Sequence, residues 1–235
     1  MYTPLVVSAL ALAVSLHGLA DDRAGMHRAR HATYLATALT GVIGTAFHIY
    51  NVATRPGGFD WQNLFYGAPL GAPAAIMVSG FLGAMAETIR DTPAGARPSV
   101  LGVPAGRAMA GVTAVGMLGT SGEAALLHFR GAFHDPFMLL PVSLPPIAAA
   151  LLARLAIGRM AARHIFTRWW LRLTGAMGLA GAGFHAYGVA RNMGGWRNWS
   201  QNILNGPPLP APPSFTGLAL AGLAAVTLLE DHRDA

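Results

Sequence analysis

Apolar positions in this chain come in long uninterrupted runs, separated by short stretches that hold nearly all of the arginine, aspartate and clustered proline. Seven runs can be placed, at 3–20, 32–52, 69–89, 107–128, 137–157, 168–190 and 213–230. A helix crossing the hydrocarbon core needs about 17 to 25 mostly apolar residues. The pattern therefore predicts an all-α integral membrane protein with seven transmembrane helices. The first run ends in Leu19-Ala20 before Asp21-Asp22, which faintly resembles a signal cleavage site. It lacks a positive leading region and is read as a retained span.

Composition agrees. Hydrophobic residues make up 53% of the 235 and charged residues only 11%, against about 25% charged in soluble domains. That is too little polar surface to cover a water-facing particle of this size. The net charge of +6 comes from arginine alone, for the chain has no lysine. Its arginines lie between apolar runs rather than along one stripe, which argues against a nucleic-acid partner. Cysteine is absent, excluding disulfides, iron–sulfur clusters, thiolate metal sites and covalent haem attachment.

Positive residues near span ends stay cytoplasmic. Twelve arginines fall on one side: Arg23, Arg28, Arg30, Arg90, Arg97, Arg107, Arg154, Arg159, Arg163, Arg168, Arg172 and Arg233. Only Arg55, Arg130, Arg191 and Arg197 fall on the other. This asymmetry predicts a bacterial-type inner membrane, the N-terminus outside, the C-terminus cytoplasmic, and the loops after spans 2, 4 and 6 on the periplasmic face.

The chain also repeats itself. Span 2 ends Gly41-Val-Ile-Gly44-Thr-Ala-Phe47-His48-Ile-Tyr50, and span 6 ends Gly178-Leu-Ala-Gly181-Ala-Gly-Phe184-His185-Ala-Tyr187. The following loops continue the match. Gly57-Gly58-Phe59, Trp61-Gln62-Asn63, Gly67, Pro69 and Pro73 correspond to Gly194-Gly195-Trp196, Trp199, Gln201-Asn202, Gly206, Pro208 and Pro212, with two residues inserted. Span 4 carries a degenerate third copy, with Leu127-His128-Phe129, Phe133 and the pair Pro141 and Pro145, its glycines Gly119 and Gly122 out of register. The expected architecture is one transmembrane domain: a leading helix and cytoplasmic loop at 1–31, then three helical hairpins at 32–104, 105–160 and 161–235, each with an ordered outer loop.

On a helix, residues i, i+3 and i+7 share a face. Gly41, Gly44 and His48 therefore line up, as do Gly178, Gly181 and His185. A histidine above a flat glycine strip suits a haem, whose macrocycle must approach the backbone and whose iron takes a neutral imidazole. Two such strips suggest haem b ligated by His48 and His185, with Arg55, Arg130 and Arg191 nearby to pair with propionates. A different grouping sets His48, His128 and His185, with Glu123 and His134, around copper, iron or zinc. The structural alternative is that the glycines let helices pack tightly and the histidines bond at headgroup level.

Glu123 is read as the acidic residue set well inside a span, and such residues are functional candidates. His27, His31, His164 and His232 are expected to be solvated or to touch lipid headgroups among arginines, and His17 could act as a ligand but has nothing to pair with. The chain has no phosphate-binding glycine loop, no zinc-protease or hydrolase motif and no lysine for a Schiff base. The expected function is a membrane subunit of a redox system, passing electrons between a periplasmic dehydrogenase and membrane quinone. The alternatives are a cofactor-free anchor docking other subunits through its outer loops, and a metal-dependent membrane enzyme.

Overall fold

The computed structural model of the chain describes residues 2–21, 24–93, 95–158 and 164–231. Among them the helices are α1 (Thr3–Gly18), α2 (Ala24–Ala53), α3 (Trp61–Tyr66), α4 (Gly71–Arg90), α5 (Ala105–Arg130), α6 (Leu140–Ile157), α7 (Ile165–Arg191), α8 (Trp199–Asn205) and α9 (Ala211–Asp231). Five are long and apolar enough to cross a membrane: Met26–Ala53, Gly71–Arg90, Ala105–Arg130, Pro136–Ile157 and Ala211–Asp231. This is the pattern of an all-α, multi-pass membrane protein. The other two predicted spans differ for separate reasons. With 16 residues, α1 is about 24 Å long, short of the roughly 30 Å core. The 27 residues of α7 have the length, but its glycines, His185 and Tyr187 dilute its apolarity. Residues 24–31, expected in a loop, form the first turns of α2.

Packing is strongest within three sequential pairs: α2 against α4, α5 against α6, and α7 against α9. The pairs lie side by side, with α5 touching α4, α6 and α9, and α1 covering α2. The main core lies around α5, where Met117, Leu152, Leu171 and Val226 are fully buried. At Gly116 an added Cβ would sit 2.9 Å from Leu218 of α9 and 3.3 Å from Val78 of α4, so α5 lies tightly between both neighbours.

Two prolines inside α6, Pro145 and Pro146, withhold backbone donors. In lipid a freed carbonyl must find another partner. Pro145 would have bonded back to the Pro141 carbonyl, and Ser121 of α5 donates to that oxygen at 2.8 Å instead. Trp170 of α7 donates to the Leu144 carbonyl at 2.9 Å. These bonds tie α6 to both neighbours at the proline step. Between α4 and α5 a two-residue antiparallel ribbon pairs Ser99 with Pro104 and Val100 with Val103. Its turn residues Leu101 and Gly102 both have positive φ, 52° and 79°, the backbone hand that a tight hairpin needs.

Candidate functional site

His48, His128 and His185 lie within the last two turns of α2, α5 and α7. Contacts between Phe65 and Phe129 (5.6 Å) and between Phe137 and Phe184 (5.0 Å) bring these ends and their loops together. Each imidazole makes the same bond. Nδ1 of His48 lies 2.5 Å from the Pro69 carbonyl oxygen, that of His128 2.8 Å from Met138, and that of His185 2.8 Å from Pro208. A carbonyl can only accept, so Nδ1 donates in all three. In the neutral ring the proton is then on Nδ1, and Nε2 keeps its lone pair. Each histidine thus fastens the returning loop to its helix while leaving one nitrogen capable of ligation. His134 is exposed and bonds locally, Nδ1 to the Gly131 carbonyl at 3.0 Å.

The glycine strips are not open. A Cβ on Gly41 would run into the Met77 backbone of α4, and one on Gly44 would lie 3.0 Å from Pro73. On α7 the strip is covered by α9: Gly178 faces Thr216 and the Pro212 carbonyl, and Gly181 has Pro212 at 2.8 Å. Backbone of the next helix lies against Gly41 and Gly178 and proline side chains against Gly44 and Gly181, so both strips are filled by helix packing. Helices α2 and α7 share no substantial interface either, because α4, α5 and α9 stand between them. Gly119 and Gly122, in the middle hairpin, have nothing within 4 Å of an added Cβ.

Glu123 accepts from the Gly71 backbone N–H at 3.0 Å, binding α5 to the start of α4. That carboxylate sits two residues from the Pro69 carbonyl held by His48, so the loop entering α4 is gripped from two helices. Among the described residues no three histidine or carboxylate side chains gather closely enough to hold a metal ion. His48, His128, His185, Glu123 and His134 are thus employed separately. Arg55 and Arg191 are exposed, and the Arg191 guanidinium lies 5.6 Å from the Tyr187 ring centroid.

The two outer hairpins close their loops with the same amide. Asn63 donates to the carbonyls of Pro56 and Gly58 at 2.9 and 2.8 Å. Asn202 donates to Met193 and Gly195 at 3.2 and 2.8 Å. Both asparagines are buried. The glycine pairs beneath them, Gly57-Gly58 and Gly194-Gly195, all have positive φ, which glycine adopts without strain.

No known protein family, curated protein or solved structure matches the chain. What the site is must be read from its own chemistry.

At the opposite end is a cluster that the sequence reading missed. Arg30 and Glu87 are 1% and 2% exposed. Arg30 Nε donates to both Glu87 oxygens, at 3.0 and 3.1 Å. Arg90 reaches Glu87 at 3.4 Å and donates to the Gly18 carbonyl at 2.7 Å, while Asp21 lies 3.6 Å from Arg30. His27 bridges Glu87 (3.2 Å) and Asp91 (2.7 Å) through its two ring nitrogens. His27 is therefore paired with two carboxylates rather than solvated, and Glu87 is a buried acid in the last turn of α4. His17, expected to stand alone, lies 3.5 Å from Asp21. His31 and His164 each bury a ring nitrogen that makes no hydrogen bond, so neither is simply solvated. His232 lies outside the described residues. The overlooked signal was register: Arg30 continues the α2 face of Tyr34, Thr37 and Gly41, and Glu87 continues the α4 face of Gly80 and Gly83.

Proposed function

We propose that this chain is a membrane-anchoring subunit that docks an extramembranous partner on the loops at its histidine end. The observation carrying this reading is that those loops are locked from within. Asn63, Asn202 and the three histidines spend their donors on loop carbonyls, while Trp61, Tyr66, Trp196 and Trp199 remain 50–70% exposed. A rigid surface rich in aromatic side chains loses little entropy on binding and suits the core of a protein interface. In this reading the three hairpins are copies of one unit, α1 and α7 cross the membrane with the other five, and the histidine end faces the periplasm of a bacterial-type inner membrane. The arginine asymmetry supports that orientation.

A redox subunit is the second reading, and one observation favours it. A metal-bound histidine usually donates its other ring nitrogen to a carbonyl or carboxylate, which is the arrangement of all three imidazoles. A haem or metal would then take Nε2 from this chain and further ligands from the partner. Purification of the full-length tagged chain from native membranes tests both readings. A stoichiometric partner released by altering Trp61, Trp196 and Trp199 is expected, and its absence would remove the docking reading. A visible haem band, or bound copper, iron or zinc, in the complex would move the conclusion to the redox reading.

A further inference from the structure

Beside the middle histidine, the loop helix α3 and the end of α5 enclose an open depression of about 330 Å³ lined by Trp61, Gln62, Phe65, Tyr66, Phe129 and Arg130. Its rings form one connected wall, with Trp61 and Phe65 6.0 Å apart and Phe65 and Phe129 5.6 Å apart. The Arg130 guanidinium stands 5.0 Å from the Tyr66 centroid. Among the described residues no carboxylate pairs with Arg130, and its N–H groups donate no hydrogen bond. A cation held in place over a ring, with its donors unspent, is a ready partner for a phosphate. The location narrows the source of that phosphate. Phe129 and Arg130 end a helix long and apolar enough to span the membrane, and exposed Leu118 and Val115 continue down it from the depression. Aromatic side chains at such an end sit at headgroup level.

We infer that this depression is a binding site for an anionic phospholipid. The phosphate lies on Arg130, the glycerol backbone against Trp61 and Tyr66, the Gln62 amide supplies a further polar contact, and the acyl chains run along Phe129, Leu118 and Val115. The inference shares Trp61 and Tyr66 with the docking reading, so a lipid seated here would lie between these two rings and the partner, leaving Trp196 and Trp199 for direct contact.

The experiment is native mass spectrometry of the full chain, released from nanodiscs of equal phosphatidylglycerol and phosphatidylcholine. Wild type is expected to retain phosphatidylglycerol preferentially. Arg130→Gln should lower that retention about fivefold, the factor for one arginine acting on an anionic lipid surface. Arg130→Lys should keep most of the preference, and Tyr66→Ala should weaken it by freeing the guanidinium. Arg197→Gln, which alters an exposed cation in the other outer loop, should change nothing. Equal retention of the two lipids, or an unaltered preference in Arg130→Gln, would overturn the proposal. So would Arg130-dependent binding of inorganic phosphate without any lipid preference, since that describes a site for a free anion. Size-exclusion profiles matching wild type keep misfolded variants out of the comparison.

Discussion

Arg30 and Glu87 face each other as a buried fork, Nε of the arginine 3.0 and 3.1 Å from the two carboxylate oxygens. They join α2 to α4 at the end away from His48, His128 and His185. Removing two charges from water costs several kcal/mol, and their attraction offsets it only while both are present. Glu87→Gln should therefore destabilise the protein by up to about 3–5 kcal/mol by removing the nearest counter-charge of Arg30 and leaving it the longer 3.6 Å contact to Asp21. Arg30→Met combined with Glu87→Leu should recover most of that loss. Thermal unfolding in detergent measures both, and a double variant as unstable as the single one would show that the pair contributes through something other than charge balance.

The glycines divide into covered and open. Gly41→Ala and Gly178→Ala would push a methyl group into the neighbouring helix, against Met77 and Thr216. Overpacking of this kind costs about 1–3 kcal/mol. Gly119→Ala meets nothing within 4 Å and should stabilise by up to about 1 kcal/mol through helix propensity. Melting temperatures should fall for the first two variants and hold or rise for the third. The same fall in all three would mean that these glycines matter for flexibility rather than for close approach.

The contrast shows what the sequence could and could not disclose. The run of G-x-x-G-x-x-F-H-x-Y led to the expectation that α2 and α7 play like parts, and Val52 and Val189, both fully buried, stand at matching positions of that pattern. Periodicity says which residues share a face, but not what covers it. The strips of Gly41 and Gly178 are filled by the next long helix of the same hairpin, so spacing alone fits a cofactor and a helix equally well. Arg30 was obscured differently. Arginines near span ends are read as water-facing, and only the partner on α4 shows that this one is enclosed.

Asn63 and Asn202 make a finer prediction because the side-chain amide of each donates to two carbonyls. Alanine at either position should cost about 1–3 kcal/mol locally, since it leaves those carbonyls unmatched. Aspartate should be worse than alanine: it has nearly the shape of asparagine but, ionised, offers the carbonyls only acceptors. Hydrogen exchange over residues 56–67 and 193–206 should quicken in the order asparagine, alanine, aspartate. Aspartate as protective as asparagine would show that shape, not donation, holds the loops.

Orientation is tested by where reporters work. A phosphatase fused at Gly58 should be active in the periplasm, and one fused at Arg97 should be silent, because twelve arginines lie on the Arg97 side and four on the other. The reverse result would invert the protein and place the docking loops in the cytoplasm.

The histidines allow the two functional readings to be separated within one residue. Each imidazole has two nitrogens with different tasks: Nδ1 donates to a loop carbonyl and Nε2 is left over. Asparagine can present an amide N–H near the position of Nδ1 but has nothing to replace Nε2. If these residues only fasten loops, His48→Asn, His128→Asn and His185→Asn should melt close to wild type and still capture the partner. The corresponding alanine variants should each lose about 1 kcal/mol, the ordinary worth of one hydrogen bond. If a haem or metal is held with the partner, asparagine should fold and dock yet lose the reduced haem band or the bound metal, because an amide does not replace an imidazole as axial ligand. Alanine would lose stability as well. Asparagine variants indistinguishable from wild type in melting, partner capture and metal content would remove all three histidines from the redox reading and leave them as clasps. Loss of metal from one variant alone would name the ligand.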